Sequence, residues 1–365
     1  MHSEHGAVAC ALTLLLMACA KPVEVKRDDG SLWYRGTQVD GVARGTWTQW
    51  YPSGQIEWSG SYGDGRKQGE WTSFHANGKP RVVSHWRDDR EDGPWIEFDE
   101  RGVKCVEGNY SGGKRIGKWT SWHADGSLAL ELEYKDGLAE GESSSHDAAS
   151  GVIARGRYEQ GLREGKWTES YPGGGARSEC TYRAGKANGI SRAWAENGTL
   201  TAELTLIDDM REGGSRQWWP KGNPKNVLQW SHGLLEGHAL EFHENGTKSG
   251  EGEYKDGLKQ GAWRIWFASG GLESESVHER GELEGPAARY YETSDPQWRA
   301  NYVHGVRDGA YASWYPNGKP ECEGTLYETH EEGPWKFWLP SGELDAKRSG
   351  HYHAGVRTGE SRLSR

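Results

Sequence analysis

The sequence has too few apolar residues for one large, continuous core. Only 34% of its 365 residues are hydrophobic, and the mean hydropathy is −0.90. A chain of this length would ordinarily form about two or three domains. The composition favours another plan, because 53 glycines, 20 tryptophans and 16 tyrosines suit many short strands, tight turns and bulky aromatic packing.

Cysteine is also scarce, with five residues in the whole chain. Only Cys105, Cys180 and Cys322 follow residue 19, and they include no Cys-x-x-Cys pair. An odd number without that spacing is typical neither of a disulfide framework nor of a zinc site. We therefore expect no metal and no cofactor.

An excess of basic residues is absent as well, since the formal net charge is −10. Lysine and arginine are scattered among acidic residues rather than gathered into a patch. Nucleic-acid binders normally carry such a patch, and so do proteins that bind anionic lipid surfaces. We expect no nucleic-acid partner and no membrane contact other than an N-terminal lipid anchor.

The N-terminal apolar run Ala7–Met17 is shorter than the roughly 20 residues that a membrane-spanning helix needs. Its end, Leu16-Met17-Ala18-Cys19, resembles the lipobox of bacterial lipoprotein signal peptides. The resemblance implies a signal peptide over residues 1–19, acylation of Cys19, and a place in the bacterial cell envelope, as an outer-membrane lipoprotein facing the periplasm or the surface. An ordinary secretory peptide and a misassigned start codon are the alternatives.

A glycine recurs every 24 residues through nearly the whole chain. These thirteen glycines are Gly45, Gly69, Gly93, Gly117, Gly141, Gly165, Gly189, Gly213, Gly237, Gly261, Gly285, Gly309 and Gly333. A fixed period of this size marks a repeat array. The array is predicted over residues 28–365, after a short linker at 20–27, with full repeats over 45–358 and half-repeats at both ends. Each repeat is numbered from its glycine as column 0.

The columns predict two strands and two turns in each repeat. Column 2 is tryptophan in seven repeats, and column 5 is aromatic in eleven. The Asn77–Gly78 pair that follows predicts a hairpin turn with positive φ at both central residues. The second half alternates apolar and polar residues, as in Leu130–Tyr134, and ends in another turn such as Asp64–Gly65. The fold class is therefore all-β, an elongated, open-ended antiparallel β-meander of about thirteen 24-residue β-hairpin repeats.

The first turn also predicts a register. A turn centred on columns 8 and 9 places column 2 opposite column 15 of the same repeat, so Trp47 would face Gly60. Column 15 is mostly small, and a missing side chain makes room for an indole ring. In some repeats column 15 grows where column 2 shrinks. The match is imperfect, because Trp119 would face Leu132.

Column 5 has the opposite parity to column 2, so its side chains point to the other face of an unbroken strand. Either a bulge returns them to the same face, or both faces carry aromatics and one stripe is free to meet a partner. The candidate partner surface consists of the column-5 aromatics Trp50, Phe74, Phe98, Trp122, Trp194, Trp218, Phe242, Trp266, Tyr290, Trp314 and Trp338.

Three segments carry a resemblance to a known family. The phrases Trp314–Lys319, Gly252–Gly257 and Gly117–Trp119 resemble the bacterial MORN-repeat variant family, over about residues 28–365. The resemblance implies stacked β-hairpins in an elongated, often groove-shaped sheet. It also implies an interaction or structural module, and many bacterial members are described only as antitoxin-like proteins or lipoproteins.

The repeats leave little room for catalytic chemistry. Histidines fall in or near turns and do not form a ligand set. Ser145-His146-Asp147 are consecutive residues, which point alternately to opposite faces of a strand and cannot converge. We expect no catalytic residue and no enzyme activity.

The sequence thus predicts a non-catalytic, envelope-tethered interaction or scaffolding protein that presents a long β-repeat surface to a protein partner. Two alternatives stay open. One is a glycan-binding surface protein whose aromatic stripe stacks on sugar rings, and the other is a cytoplasmic antitoxin-like binding protein in which Cys19 is not processed. Exposed column-5 aromatics would favour the glycan, and their burial would favour the protein partner.

Overall fold

The computed structural model describes residues 19–359. Within that range the chain forms 31 strands and no helix, and none of the described segments is a helix that could cross a membrane. The chain divides into two compact units: one contains residues up to 151 together with 157–162, and the other contains 152–156 together with 163 onward. The predicted signal peptide, apart from Cys19, lies outside the described residues, as do residues 360–365.

The first unit is a run of antiparallel strands, each hydrogen-bonded to its neighbours in the sequence. They are β1 (Lys21–Lys26), β2 (Leu32–Val39), β3 (Val42–Trp50), β4 (Ile56–Gly63), β5 (Arg66–Phe74), β6 (Pro80–Arg87), β7 (Arg90–Phe98), β8 (Lys104–Ser111), β9 (Lys114–Trp122), β10 (Leu128–Lys135) and β11 (Leu138–His146). The predicted linker 20–27 thus contains β1, in which half-buried Val23 and Val25 alternate with exposed residues. The next strand, β12 (Ile153–Glu159), is divided between the two units.

The second unit continues the same plan of antiparallel neighbours. Its strands are β13 (Leu162–Ser170), β14 (Ala176–Arg183), β15 (Lys186–Ala187), β16 (Gly189–Trp194), β17 (Leu200–Ile207), β18 (Met210–Trp218), β19 (Pro224–Ser231), β20 (Leu234–Leu235), β21 (Gly237–Phe242), β22 (Lys248–Lys255), β23 (Leu258–Trp266), β24 (Leu272–Glu279), β25 (Glu282–Tyr290), β26 (Pro296–Val303), β27 (Val306–Trp314), β28 (Pro320–Tyr327), β29 (His330–Phe337), β30 (Gly350–His353) and β31 (Val356–Gly359). The all-β, open, antiparallel fold class is confirmed.

The two turns of a repeat differ in conformation. In the second turn both central residues have positive φ, 49° at Asp64 and 78° at Gly65, as in a type I′ hairpin. In the first turn only the glycine does, at 83° in Gly78. The prediction of positive φ at both residues of this turn was wrong. Asn77 instead accepts a hydrogen bond from the amide of Lys79, because an asparagine side chain readily bonds the backbone two residues on.

The glycine in column 0 forms a bulge. Gly60 pairs with Trp71, but the residue after Gly60 pairs with Gln68, so Gly69 and Glu70 have no partner across the ladder. The φ of Gly69 is 67°, a left-handed conformation that glycine adopts without a Cβ clash. All thirteen column-0 glycines have φ between 62° and 128°. The 24-residue period is therefore a period of bulges.

The predicted register is confirmed, since Trp47 pairs with Gly60. Gly60 also pairs with Trp71 on its other side, and the ring that covers Gly60 is that of Trp71. A Cβ on Gly60 would lie 2.1 Å from Cδ2 of Trp71, and the indole Nε1 donates to the carbonyl of Ser61 at 3.1 Å. Each indole thus lies over the glycine of the preceding repeat, not over that of its own.

This shift by one strand explains the pairs that did not fit. Trp119 lies over Gly108, which leaves Leu132 to pair with Ser143. The pairs with the larger residue in column 2 are Trp47–Gly36, Trp71–Gly60, Trp119–Gly108, Trp167–Gly156, Trp263–Gly252, Trp335–Gly324 and Tyr311–Ala300. The reversed pairs include Ser143–Leu132 and Ser215–Leu204. One large and one small residue fill each of these sites, as close packing requires.

Trp95 shows the effect of a side chain in column 15. Its neighbour on the preceding strand is Ser84, and its Nε1 donates to the carboxylate of Glu97 at 2.8 Å instead of to a backbone carbonyl. Trp95 is only half-buried, whereas Trp71 and Trp119 are buried. The small side chain of Ser84 therefore displaces the ring from the preceding strand.

Rings and cations cover this side of the sheet. We call it the tryptophan face, formed by columns 2 and 4 of the first strand and columns 13, 15 and 17 of the second. Trp95, Tyr110, Trp119 and Tyr134 form an edge-to-face row with centroids 5.4, 5.1 and 6.1 Å apart. Cations lie over the rings in every second repeat, 48 residues apart: Lys67, Arg115, Arg163, Arg211, Lys259 and Arg307. The tryptophan face is thus largely occupied by its own side chains.

The Trp-over-Gly contact predicts a steric response to alanine. A Cβ on Gly252 would lie 2.3 Å from Cδ2 of Trp263, so Gly252→Ala should reduce the free energy of unfolding by about 1–3 kcal/mol. Gly175→Ala is the matched control, because Gly175 has nothing within 4 Å of an added Cβ and no positive φ, and it should leave stability unchanged or slightly raised. Thermal unfolding followed by tryptophan fluorescence measures both, and equal midpoints would contradict the packing argument.

Candidate functional site

Column 5 stays on the side opposite the tryptophan face. The ladder is irregular beside it, since Gln49 pairs with Trp58 while Trp50 pairs with Ile56. The extra residue, Glu57, lies on the partner strand, so the alternation of the column-5 strand is not interrupted. Both faces therefore carry aromatics. We call the second side the column-five face, formed by columns 1, 3 and 5 of the first strand and columns 14 and 16 of the second.

All eleven aromatics of the predicted partner surface are half-buried. Neither full exposure nor full burial is observed. Several rings have a cation close to them, with charge-to-centroid distances of 5.0 to 6.0 Å. These pairs are Arg35–Trp50, Lys104–Trp122, Lys248–Trp266 and Arg299–Trp314.

Cavities open beside three of these aromatics. In the first unit Trp122 borders a cavity of about 480 Å³. In the second unit Tyr290 borders one of about 370 Å³ and Trp314 one of about 630 Å³. Their walls come from equivalent positions, namely columns 1 and 3 of two successive repeats and column 14. The column-five face therefore presents the same kind of concave site in both units.

The cavity at Tyr290 lies where the matching of large and small residues fails. Ser276 pairs with Ala287, and Ala287 pairs with Ala300. Three consecutive strands thus carry small residues, all of which line the cavity. The Tyr290 hydroxyl donates to Oε1 of Glu275 at 2.7 Å, and this hydrogen bond, with burial, raises the pKa of Tyr290.

Arg299 forms the wall shared by the two cavities of the second unit. Its cross-strand neighbours are Ala288 and Ala312, so no carboxylate faces it. At column 3 of a nearby repeat, by contrast, Lys336 is paired with Glu323 at 2.9 Å. Within residues 19–359 the Arg299 guanidinium forms no ion pair. It is a charged group available to an external anion.

An exposed aliphatic row, which the sequence analysis missed, lies at the second turns. Column 21 holds Met210, Leu234 and Leu258 in three consecutive repeats of the second unit, with exposed fractions of 47%, 51% and 47%. A Cβ on Gly257 would lie 3.7 Å from Cδ2 of Leu234, so that leucine extends over the following turn. The available signal was an apolar residue recurring at 24-residue spacing directly after the turn.

Column-6 side chains connect each first turn to the next repeat. Nε2 of His123 lies 2.8 Å from the carbonyl oxygen of His146, and the hydroxyl of Tyr171 donates to the carbonyl of Trp194 at 2.8 Å. Because a carbonyl only accepts, His123 carries a proton on Nε2. Tyrosine and histidine can replace each other in this column because each brings a ring donor to the same carbonyl. The turn histidines of this column therefore have a structural role.

The Ser145-His146-Asp147 segment ends in a turn. Both the backbone amide and Oγ of Ser150 donate to Oδ1 of Asp147, at 2.7 and 2.6 Å. Across the described range 19–359, no group of three or more His, Cys, Asp or Glu side chains is arranged to hold a metal ion. Cys19 is exposed and has a free thiol, and its acylation stays a prediction.

Four segments of the chain match the MORN repeat variant: residues 67–88, 115–136, 235–256 and 307–328. Together they make up about a quarter of the chain. The resemblance is confirmed in those repeats, and it suggests a repeat-based binding or scaffolding role. No curated protein matches the chain.

Two solved structures show a slight likeness. The crystal structure of TcdB2-TccC3-Cdc42 matches at 10% identity over 90% of this chain and 23% of that chain, with a TM-score of 0.16. TcdB2-TccC3 without its hypervariable C-terminal region matches at 10% identity over 93% of this chain and 24% of that chain, with a TM-score of 0.13. The chain thus spans about a quarter of their length. Scores this low carry no argument about fold or function.

The column-6 bridge predicts which substitutions His123 tolerates. His123→Tyr should keep the thermal midpoint, because Tyr171 makes the same bond from the same column. His123→Phe keeps the ring but removes the donor, and should lower the free energy of unfolding by about 0.5–1.5 kcal/mol. A comparison of the two variants by chemical denaturation separates the ring from its donor. Equal loss in both would refute the bridge.

Proposed function

We propose that this chain is a non-catalytic interaction protein that binds a protein partner with its column-five face. The observation that carries the proposal is the recurrence, in both units, of a half-buried aromatic beside a cavity. Trp122, Tyr290 and Trp314 occupy this position. Concave sites with apolar walls and a few polar groups are where ligands bind, and the MORN-like segments agree with a binding role.

Two features favour a protein over a glycan. Cations lie near the rings of Trp122, Trp266 and Trp314, where a stacked sugar would have to displace them. The aliphatic row of Met210 and Leu234, with its third member Leu258, adds exposed apolar area. Contiguous apolar area of this kind is typical of protein interaction sites.

We also propose that Cys19 tethers the protein to the bacterial cell envelope as a lipoprotein. The support is the lipobox resemblance of Leu16–Cys19 and the exposed position of Cys19 two residues before β1. An acyl chain there would hold the repeats at the membrane without any basic patch. A single acyl chain anchors only marginally, so the proposal requires the multiple acylation that the lipobox resemblance implies.

The binding proposal predicts that partner capture depends on the column-five face. Full-length tagged protein is cross-linked in its host and purified under denaturing conditions, and the captured proteins are identified by mass spectrometry. Trp314→Ala and Leu234→Ser should each reduce recovery of the main partner about tenfold, since centrally placed aromatic anchors dominate interfaces. Arg66→Gln, at an exposed turn, is the control. A partner recovered equally with all three variants would overturn the assignment of the face.

The tether predicts palmitate incorporation. Wild-type protein expressed in cells fed with labelled palmitate should carry the label and sediment with membranes. Cys19→Ser should lose the label and leave the membrane fraction, because Cys19 supplies the only sulfur that the lipobox resemblance assigns for acylation. Cys105→Ser is the control, since Cys105 lies within β8. An unlabelled wild-type protein would refute the lipoprotein assignment and favour the cytoplasmic alternative.

A further inference from the structure

We propose that the two adjacent cavities of the second unit, with Arg299 between them, bind a polyproline II segment that carries an acidic residue in every turn. The inference rests on the proposed function and names the chemistry of the partner. It is carried by three observations: the spacing of the two aromatics, the unpaired guanidinium between them, and the small residues that leave the cavities open.

The spacing of the aromatics matches one turn of a polyproline II helix. Tyr290 is the last residue of β25, and Trp314 is the last residue of β27. One strand, β26, separates them, so the two rings are two inter-strand steps apart, roughly 9.6 Å. A polyproline II helix has three residues per turn and advances about 9.3 Å in that turn. Residues i and i+3 on one side of such a helix therefore reach successive aromatics when the helix runs across the strands.

The cavities suit compact apolar groups. Pro286 and Ala288 line the first cavity, and Ala312 and Pro334 line the second. With volumes of about 370 and 630 Å³, both have room for a pyrrolidine ring next to an aromatic side chain. Proline-rich segments dock in this way against aromatic-lined grooves, because they are already extended and lose little entropy on binding.

The charge of Arg299 selects an acidic segment. The guanidinium lies 5.6 Å from the ring centroid of Trp314 and lines both cavities. Its neighbours across the ladder are alanines, so a carboxylate from a partner would not compete with an internal one. An arginine can bond such a carboxylate through two N–H groups at once. A residue at i+1 or i+2 of the helix would place an acid between the two apolar contacts.

The equivalent site in the first unit lacks this charge. Around Trp122 the column-14 residues are Glu107 and Glu131, both of which line the cavity, and Lys118 is already paired with Glu131 at 2.5 Å. An acidic segment would meet like charge there. The proposed site therefore belongs to the Arg299 region alone among the three cavities of the column-five face in the described residues.

The test uses fluorescein-labelled nine-residue peptides and the full chain, with binding followed by fluorescence anisotropy. The probes are three repeats of Pro-Pro-Glu, three repeats of Pro-Pro-Gln, and three repeats of Gly-Ser-Glu, which keeps the charge but not the helix. We expect the Pro-Pro-Glu peptide to bind roughly fivefold tighter than the Pro-Pro-Gln peptide. We expect the Gly-Ser-Glu peptide to bind more weakly than either.

Variants locate the site and separate its two contacts. Arg299→Gln should abolish the preference for glutamate over glutamine while binding of Pro-Pro-Gln persists, and Ala288→Leu should weaken all proline peptides by filling the first cavity. Arg66→Gln, in the first unit, should change nothing. Thermal unfolding of each variant shows that it is folded. Equal binding of Pro-Pro-Glu and Gly-Ser-Glu, or an unchanged preference in Arg299→Gln, would overturn the inference.

The result can be told apart from a failure of the proposed function. If Trp314→Ala abolishes capture of the cellular partner but no proline peptide binds, the column-five face is the interface and the polyproline inference is wrong. If the peptides bind as expected but capture is unaffected by Trp314→Ala, the Arg299 site exists and the partner proposed for the face does not use it.

Discussion

The contact on which both units depend is an indole ring lying over a residue of the preceding strand that has no side chain. Trp71 covers Gly60 and Trp263 covers Gly252 at distances that exclude a Cβ, and the indole N–H of each donates to the carbonyl one residue further on. One interaction thus sets how closely the strands approach, which face the ring occupies and how the strands align. A slip of one residue would move every ring to the other face.

The remaining devices repeat this link from neighbour to neighbour. Column 0 glycines bend the strand at a bulge, and column-6 donors join each first turn to the next repeat. At the second turn, Glu236 accepts a hydrogen bond from the amide of Asp256 at 2.8 Å, and the carbonyl of Leu235 accepts one from the amide of Gly257 at 2.9 Å. Stability in such a chain is a sum of repeat and neighbour terms, so a local defect such as Ser84 displaces one ring and leaves the rest in place.

The period, the strand pattern and the pairing of column 2 with column 15 were predictable because glycine and tryptophan recur without a slip. The direction of each indole was not, since Gly60 pairs with Trp47 on one side and Trp71 on the other, and a register cannot tell which ring tilts over it. The misfit of Trp119 with Leu132 contained the answer. The unpaired state of Arg299 was hidden for another reason: it depends on alanines at Ala288 and Ala312, which lie 11 and 13 residues away and adjoin it only across the ladder.

Because the indoles, tyrosines and cations of the tryptophan face contact one another, that face has little left to offer a partner. Its cations lie over rings, as Arg115 does 4.3 Å from the ring centroid of Trp119. The column-five face is built from the alternate residues of the same strands, which the packing of the rings leaves free to vary. Its aromatics therefore persist while their surroundings change from carboxylates at Trp122 to an unpaired guanidinium at Trp314. A regular scaffold on one side thus permits a site of individual character on the other, and partner selectivity should reside there.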